Sequence, residues 1–399
     1  MKIKNSDIEA IRKYNSVQVL NTLRQTGQRL SRPNVADILG LSKVTISNIL
    51  RDLTKEGLTI EAGVGIPDSR GGRKPQLVAL DQEKMRVFGA LSGSDSVELI
   101  LSDITGRELM RLRSDPKGHR DRQQLIVDMV TDMLAATNTP KESIRGLVVV
   151  MDDEDGRIRS CDYHGSPEDS TPQPPLRDEL SRMLGGMSVW LADHTRARAF
   201  AEAWFNHGPK TPVNFFYLNL GLKLDGVSTR RNLLDNDPCK LGSCFMSALP
   251  YDQRDGEVLT VERAVGGRTL LDRAARAWGR DLSLEGLKAL ADEGEKEARL
   301  IFDEYGHDLG CALSVAVHTT SLTNIVLGGL VAPAWPYFKE AMRRGLDLHL
   351  EPELRGQVEV RPLRHDLRNG LMGALAMALD RYVYHTEILY SHTSPLEKK

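Results

Sequence analysis

The chain has 399 residues, of which 40% are hydrophobic and 27% charged, and its formal net charge is −2. This length predicts more than one domain, and the hydrophobic fraction is sufficient for buried cores. The sequence has no run of about eighteen apolar residues and begins with polar residues, which argues against a membrane span or a signal peptide and favours a cytoplasmic protein. Its four cysteines are too few and too scattered for a disulfide framework: Cys161, Cys239, Cys244 and Cys311.

Charge is distributed unevenly along the chain. Residues 1–75 carry 13 Lys and Arg against 7 Asp and Glu, a net charge of +6, and the remaining residues carry 40 against 48, a net charge of −8. A basic N-terminal part on an acidic body is typical of a DNA-binding module attached to a part that does not bind DNA.

The first 60 residues predict three helices. Residues 6–27 are expected to form a helix that ends at Gly27 and packs under the next two through its apolar positions, Ile8, Ile11, Val17, Val19, Leu20 and Leu23. Leu30 to Leu58 then has the pattern of a helix-turn-helix. Ser31 can cap its first helix, Gly40 can end that helix in the left-handed conformation, and Ser42 can cap the second. The second helix runs from Lys43 to Lys55 with an apolar face at spacings of three and four, formed by Ile46, Ile49, Leu50 and Leu53.

The outer face of the second helix is predicted to contact DNA. In a recognition helix the N-terminal residues reach base edges, so we assign Lys43, Val44 and Asn48 to bases. Asn can pair with adenine, Lys with guanine, and Val can touch a thymine methyl group. Ser42, Thr45 and Ser47 are assigned to the DNA backbone. The other residues of the pair that are predicted to bind DNA are Ser31, Arg32 and Arg51. The alternative is an ordinary amphipathic helix pair with a solvated polar face.

A wing is predicted after Gly57. The segments LTIEAG and KPQLVAL can pair as two strands, and the tip between them, VGIPDSRGGRK, is glycine-rich and basic. Arg70, Arg73 and Lys74 on this tip can follow phosphates or enter a narrow minor groove. The alternative is a solvated charged linker.

This helix-turn-helix and the GGRKPQLVAL wing resemble the winged-helix head of the ROK family (repressors, open reading frames and sugar kinases). The resemblance continues through VFGALSGSDSVELILSDITGREL, IRGLVVVMDDEDGRI, SVWLADHTRARAFAEAWF, FFYLNLGLKLDGVSTRRNLL, TNIVLGGLVAPAW and DLRNGLMGALAMAL. It implies an α/β protein in which a winged helix-turn-helix, residues 1–80, precedes a degenerate two-lobed actin/hexokinase-like (ribonuclease H-like) ROK domain, residues 81–399. The lobes would divide near residues 205–215. In the family, the helical region 259–317 and the final helices provide dimer contacts, which implies a homodimer.

The phosphate loops of the family's kinases are replaced in this chain. In the first loop, the family's Asp and Thr fall on Leu91 and Asp95, and a leucine cannot ligate a cation. In the second, Lys223 and Asp225 replace glycines whose lack of a side chain lets the backbone approach phosphate. The late glycines, in Asn324 to Val331, are interpreted mainly as scaffold for close packing between helix and sheet.

The family's Asn-Asp pair, whose Asp takes a proton from the sugar hydroxyl, reads Asp193-His194 here. With both phosphate loops altered as well, the chain is predicted not to be an enzyme. Asp193 and His194 remain candidates for binding a polar ligand, and the alternative is two satisfied polar groups at a strand end.

Neither a metal nor a cofactor is expected. The family's zinc site uses a His and three cysteines spaced C-x-C-G-x-x-G-C, and the matching stretch PCKLGSCFMS keeps only Cys239 and Cys244. Two thiolates without further nearby ligands do not form a tetrahedral site. The acidic turn at residues 152–155 is interpreted as solvated rather than as a cation site.

These observations predict a regulator, most simply a repressor, whose partners are double-stranded operator DNA and a second copy of itself. The ROK body would serve for dimerisation and for sensing a carbohydrate-like effector that alters lobe closure and the spacing of the two heads. One alternative is a ligand-independent regulator controlled by a protein partner. The other is a sugar kinase with an added DNA-binding head.

Overall fold

A computed structural model describes residues 5–65, 74–93, 96–115, 122–151, 176–205, 214–230, 233–234, 250–254, 257–364 and 370–384. Its helices are α1 (Asn5–Thr26), α2 (Arg32–Leu39), α3 (Lys43–Lys55), α4 (Arg122–Ala136), α5 (Leu176–Met183), α6 (His194–Phe205), α7 (Val261–Val265), α8 (Gly267–Trp278), α9 (Leu284–Asp292), α10 (Lys296–Thr320), α11 (Trp335–His349), α12 (Pro352–Arg355) and α13 (Leu371–Leu379). Its strands are β1 (Leu30–Ser31), β2 (Thr59–Val64), β3 (Gln76–Leu80), β4 (Arg86–Ser92), β5 (Val97–Asp103), β6 (Glu108–Ser114), β7 (Ile144–Met151), β8 (Val189–Asp193), β9 (Phe215–Leu220), β10 (Leu224–Arg230), β11 (Leu233–Leu234), β12 (Pro250–Arg254), β13 (Glu257–Thr260), β14 (Asn324–Gly328) and β15 (Glu359–Pro362). A π-helical turn, Asp380–Tyr384, follows α13.

The chain divides into two compact units. Unit 1 consists of Met1–Val150, Pro167–Ala192 and Ala374–Lys399, and unit 2 consists of Met151–Ser166 and Asp193–Gly373. Helix α6 therefore belongs to unit 2, and α13 begins in unit 2 and continues into unit 1. The domain boundaries predicted at residue 80 and near residues 205–215 stay predictions.

Helices α1–α3 and strands β1–β3, which we call the head, open unit 1. The Ser31 hydroxyl accepts a hydrogen bond from the Asn34 amide at 3.2 Å, and Gly40 ends α2 with a φ of 64°. The Ser42 hydroxyl accepts from the Thr45 amide at 3.0 Å. Each cap satisfies an amide that has no partner within its own helix. The predicted ends of α2 and α3 are confirmed.

The core of the head forms where α1, α2 and α3 meet. Its buried apolar side chains are Val19, Leu20, Leu23, Val35, Ala36, Ile46, Ile49, Leu50 and Leu53. The prediction that Ile11 also packs inward is wrong, since its side chain is 57% exposed. The neighbouring Arg12 forms an ion pair with Asp52 of α3. Adjacent helical side chains point about 100° apart, so Ile11 faces away from α3.

The predicted pairing of the wing strands is confirmed. Strands β2 and β3 are antiparallel, with Thr59 opposite Leu80 and Glu61 opposite Val78. Strand β1 adds a third, short strand, with Leu30 opposite Val78. It was not predicted, because two residues show no periodicity. The tip, residues 66–73, lies outside the described residues.

The remaining sheet of unit 1 has the strand order β6-β5-β4-β7-β8. The predicted hairpin is confirmed as β4 and β5, which are antiparallel with Phe88 opposite Leu101. Strand β6 was missed as an element, since its apolar residues alternate with charged ones such as Arg111 and Arg113 at an edge of the sheet. Strand β7 and the β8–α6 segment lie where the resemblance placed them.

The main sheet of unit 2 has the order β11-β10-β9-β14-β15, in which β14 runs parallel to both β9 and β15. Helices α10 and α11 pack together through glycines. A Cβ atom on Gly310 would lie 2.0 Å from the Met342 carbonyl oxygen, and one on Gly345 would lie 2.1 Å from the His307 carbonyl oxygen. The backbones of α10 and α11 are therefore so close at these two positions that any residue larger than glycine would clash.

The late glycines of unit 2 fill a scaffold role. A Cβ atom on Gly328 would lie 2.0 Å from the buried Tyr217 hydroxyl. Gly329 has a φ of 89°, and a Cβ atom there would lie 2.6 Å from the Leu220 carbonyl carbon. Glycine is required at both positions by packing and, at Gly329, by backbone conformation as well. This geometry supports the interpretation of these glycines as packing residues.

Candidate nucleic-acid interface and buried polar cluster

The first two turns of α3 present an exposed row of mixed chemistry. Lys43, Val44 and Asn48 are all exposed, and the Val44 side chain is 71% exposed. The opposite face of the helix, including Ile46 and Ile49, is fully packed into the head. An amide, a cation and a small apolar side chain thus share one surface at a helix N-terminus, where the dipole also favours an anion.

The hydroxyl groups assigned to phosphates are placed differently from one another. Ser42 and Thr45 lie at the start of α3, and their hydroxyl oxygens share a hydrogen bond of 2.8 Å. Ser47 is half-buried one turn later. Ser31 differs, because it is only 4% exposed and its hydroxyl bonds both the amide and the side chain of Asn34. The structure therefore corrects the assignment of Ser31, whose hydroxyl serves the α2 cap.

The basic residues of the head surround this surface. The Arg51 side chain is 71% exposed, and its Nε atom lies 4.0 Å from Asp52. Arg32 lies 3.6 Å from Glu61 of β2, with both side chains more than a third exposed. Lys74 is exposed at the start of the segment that leads to β3, whereas Arg70 and Arg73 lie outside the described residues.

Arg29 is a basic residue of this surface that the sequence reasoning missed. Its guanidinium donates a hydrogen bond to the Ala62 carbonyl oxygen of β2 at 3.0 Å and so joins the turn after α1 to the wing. It lies before the helix-turn-helix pattern, and only its charge and its position just before Ser31 could have indicated it.

In unit 2, Asp193 and His194 begin α6. The Asp193 carboxylate accepts a hydrogen bond from the Arg196 amide at 2.8 Å, so Asp193 acts as a helix cap, and its side chain remains 40% exposed. His194 is buried, and its Nε2 atom lies 3.1 Å from the Asn219 side-chain nitrogen. An amide nitrogen can only donate, so Nε2 accepts and the imidazole is neutral. Burial, and then the charge of Arg198, lowers the pKa of His194 to about 3.

Asn219 is the centre of this buried cluster. Its side-chain oxygen accepts a hydrogen bond from Arg198 at 3.1 Å and lies 3.5 Å from the Tyr217 hydroxyl. The sequence reasoning did not identify Asn219, Arg198 or Tyr217. The available signal was one asparagine inside the apolar strand FFYLNL, since a buried amide needs partners. The cluster satisfies His194, which favours the structural alternative for that residue.

A buried carboxylate with a charged partner lies further along α6. Glu202 is fully buried, and Arg361 of β15 donates to its carboxylate at 2.5 Å. A buried carboxylate without such a partner would be strongly destabilising. The ion pair therefore fixes α6 against the edge strand of the unit 2 sheet.

The positions that replace the family's phosphate loops are described in part. Leu91 is 6% exposed and packs as a core residue at the end of β4, and Asp95 lies outside the described residues. In the second loop, Lys223 is exposed in the turn between β9 and β10. Its positive charge partly offsets the burial that raises the pKa of Glu262.

Within the described ranges the chain has neither a metal-ligating cluster nor a membrane-spanning helix. No group of three or more His, Cys, Asp or Glu is arranged there to hold a metal ion. Cys239, Cys244 and the acidic turn at residues 152–155 lie outside those ranges. None of the helices described is both long and apolar enough to cross a membrane.

The fold of this chain is similar to that of solved ROK proteins. The chain resembles a solved ROK family transcriptional regulator, a homologue of the Escherichia coli MLC protein, with a TM-score of 0.73 and 16% identity over 95% of this chain and 99% of that one. It also resembles the ROK hexokinase of Thermus thermophilus, with a TM-score of 0.56 and 20% identity, over 74% of this chain and 98% of that one. The similarity to the regulator therefore covers about a fifth more of the chain than the similarity to the hexokinase does, since 95% minus 74% is 21%.

The family model described as the ROK family matches residues 257–381. Among curated proteins, the chain is 22% identical to the xylose repressor of Caldicellulosiruptor bescii over 92% of this chain and 96% of that protein. It is 27% identical to the xylose repressor of Bacillus spizizenii over 95% of this chain and 98% of that protein. Residues 257–381 therefore match the ROK family, and the similarity to repressors extends over nearly the whole chain.

Proposed function

We propose that this protein is a sequence-specific DNA-binding transcriptional repressor whose head is a winged helix-turn-helix. The observation that carries the proposal is the exposed row Lys43, Val44 and Asn48 on a helix whose other face is fully packed. A valine that is 71% exposed beside a lysine and an asparagine has the chemistry that reads base edges in a major groove. The near full-length similarity to xylose repressors supports the same role.

The roles within the head follow from where each side chain lies. Lys43, Val44 and Asn48 contact bases, while Ser42 and Thr45 contact the backbone at the start of α3. Ser47, Arg51, Arg32 and Lys74 supply further phosphate contacts, and Arg32 exchanges its exposed partner Glu61 for phosphate. Arg70 and Arg73 are also assigned to DNA. Arg29 holds the wing to the turn after α1. Exposed ion pairs such as Arg32 with Glu61 are weak, so this exchange has a low cost.

The ROK body acts as a regulatory domain and not as a kinase. A buried leucine at position 91 offers no ligand for a cation, and His194 is held neutral as a hydrogen-bond acceptor by Asn219. The test is incubation of the full chain with ATP, Mg²⁺ and a panel of hexoses and pentoses. No ADP above a protein-free control is expected, and sugar-dependent ADP formation would refute this part of the proposal.

The body also forms a homodimer and responds to a carbohydrate-like effector. When two heads bind two half-sites one helical turn apart, the dimer selects operator DNA over random DNA more strongly than one head does. An effector that binds one body conformation more tightly than another shifts the population and thereby changes operator affinity. D-xylose is the first compound to test, since the curated relatives are xylose repressors. Control by a protein partner is the alternative for this step.

The experiment is selection of DNA by the full chain from a pool of random duplexes. Enrichment of an inverted repeat, bound far more tightly than random duplex at the same salt concentration, is expected. Release by D-xylose or another sugar of the panel would support effector control, and binding that no sugar changes would favour a protein partner. Enrichment of no sequence at all would refute the proposed function.

A further inference from the structure

The π-helical turn Asp380–Tyr384 anchors the end of the ROK body to several parts of unit 1. The Arg381 guanidinium lies 3.6 Å from the centre of the Trp190 ring on β8. The Tyr382 hydroxyl donates to the Ser188 carbonyl oxygen at 3.2 Å, and the Tyr384 hydroxyl donates to the Ile104 carbonyl oxygen, after β5, at 2.8 Å. Single π-helical turns within α-helices are rare and frequently occur at functional sites.

The same turn contacts the head through Tyr384. The guanidinium of Arg24, in the last turn of α1, lies over the Tyr384 ring at 5.6 Å from its centre. Tyr384 is 1% exposed, and burial lowers the pKa of Arg24, an effect that the charge of Asp380 opposes. A cation over an aromatic face is attracted to the ring, and more strongly when both groups are removed from water.

Each end of this contact is rigidly connected. On the head side, Leu20 and Leu23 of α1 lie in the head core with α3, so α1 and the recognition surface move as one body. On the other side, α13 packs closely enough that a Cβ atom on Gly89 of β4 would lie 2.7 Å from the Leu375 amide. The first turn of α13 belongs to unit 2, where a Cβ atom on Gly373 would lie 2.1 Å from the Ala197 carbonyl oxygen of α6.

We propose that the contact between Arg24 and Tyr384 is the joint through which the ROK body fixes the orientation of the head. Arg24 and Tyr384 are then positioning residues for DNA recognition, and they do not touch DNA. The inference rests on the proposed function. An intact joint presents α3 in one orientation, and this preorganisation strengthens selective binding.

The test compares four full-length variants: Arg24→Met, Arg24→Lys, Tyr384→Phe, and Arg113→Met as a control on the exposed face of β6. The probes are a duplex selected by the unsubstituted protein and a random duplex of equal length. Arg24→Met removes the cation and is expected to weaken binding to the selected duplex about threefold to tenfold. Binding to the random duplex stays unchanged. Arg24→Lys keeps the charge and restores most of the affinity, and Arg113→Met has no effect.

Amide hydrogen exchange provides a second readout that does not depend on DNA. Exchange in residues 17–26 of α1 should become faster in Arg24→Met than in Tyr384→Phe, which keeps the ring under the guanidinium, while exchange in β4 stays as in the unsubstituted protein. If Arg24→Met left exchange in α1 unchanged, or lost equal affinity for selected and random DNA, the proposed joint would be refuted. If Arg24→Met does not fold, Arg24→Gln, which also removes the cation but keeps a polar side chain, decides by the same criteria. If the unsubstituted protein selects no sequence, the proposed function fails, and exchange in α1 still decides whether the joint exists.

Discussion

Replacing Gly310 with Ala should separate α10 from α11 and destabilise unit 2. The new Cβ atom would lie 2.0 Å from the Met342 carbonyl oxygen and 2.6 Å from the Leu346 nitrogen, both backbone atoms that no rotamer change can move. Alanine is favoured over glycine in a helix interior by about 0.5–1 kcal/mol. Overpacking costs about 1–3 kcal/mol and occasionally more, and backbone contact places this site at the upper end. The expected net loss is about 2 kcal/mol, or a melting temperature lower by roughly 4–8 °C.

The matched control is Gly286→Ala within α9 of the same unit. Its Cβ atom would lie 3.4 Å from the Ser283 hydroxyl oxygen and 3.9 Å from the Leu282 Cδ2 atom, both ordinary van der Waals contacts. The propensity gain is therefore expected alone, as a rise of roughly 1–3 °C in melting temperature. Both variants are compared with the unsubstituted protein by thermal unfolding monitored by circular dichroism. A melting temperature for Gly310→Ala equal to or above that of the unsubstituted protein would refute the close backbone packing of α10 on α11.

Two further predictions concern the cap of α3 and the buried histidine. Ser42→Ala removes the acceptor for the Thr45 amide and should destabilise the head by about 1 kcal/mol, measured as faster amide exchange in α3, whereas Ser42→Asp should retain the cap. The folded-state pKa of His194, about 3, lies below its unfolded value near 6.5. Between these two pH values the unfolded state binds more protons than the folded state. The free energy of unfolding therefore falls as the pH falls from 6.5 towards 3. From pH 7 to pH 5 the unsubstituted protein should therefore lose about 2 kcal/mol more than His194→Gln, which keeps an acceptor for Asn219, in urea unfolding. Parallel pH profiles of the two proteins would show that His194 is not held neutral.

Local chemistry explains why much of the head could be predicted. Ser42 and Gly40 mark helix ends through their own hydroxyl group and backbone freedom, and the apolar face of α3 repeats at helical spacing, so each signal lies within a few residues of its effect. The same reasoning placed Ile11 in the core, because periodicity alone does not show which apolar positions face the partner helix. It also gave Ser31 to DNA, since a capping hydroxyl and a phosphate-binding hydroxyl look alike in a sequence.

The buried cluster and the joint could not be predicted in this way. Asn219 contacts His194 from 25 residues away, and Tyr384 meets Arg24 across nearly the whole chain. Such pairs form only after the sheets have assembled, and one sequence carries no local pattern for them. The family resemblance identified the segments around them without showing which side chains meet.

The most direct test of the proposed repressor is the affinity of Asn48→Ala for selected and random duplexes, with Arg51→Ala measured in parallel. Asn48 is assigned to a base, so its loss should cost about 1–3 kcal/mol on the selected duplex and little on random DNA. Arg51 is assigned to phosphate, so its loss should weaken both duplexes equally and reduce the salt dependence by about one charge. Equal losses on both duplexes for Asn48→Ala would contradict the assignment of the outer face of α3 to base recognition.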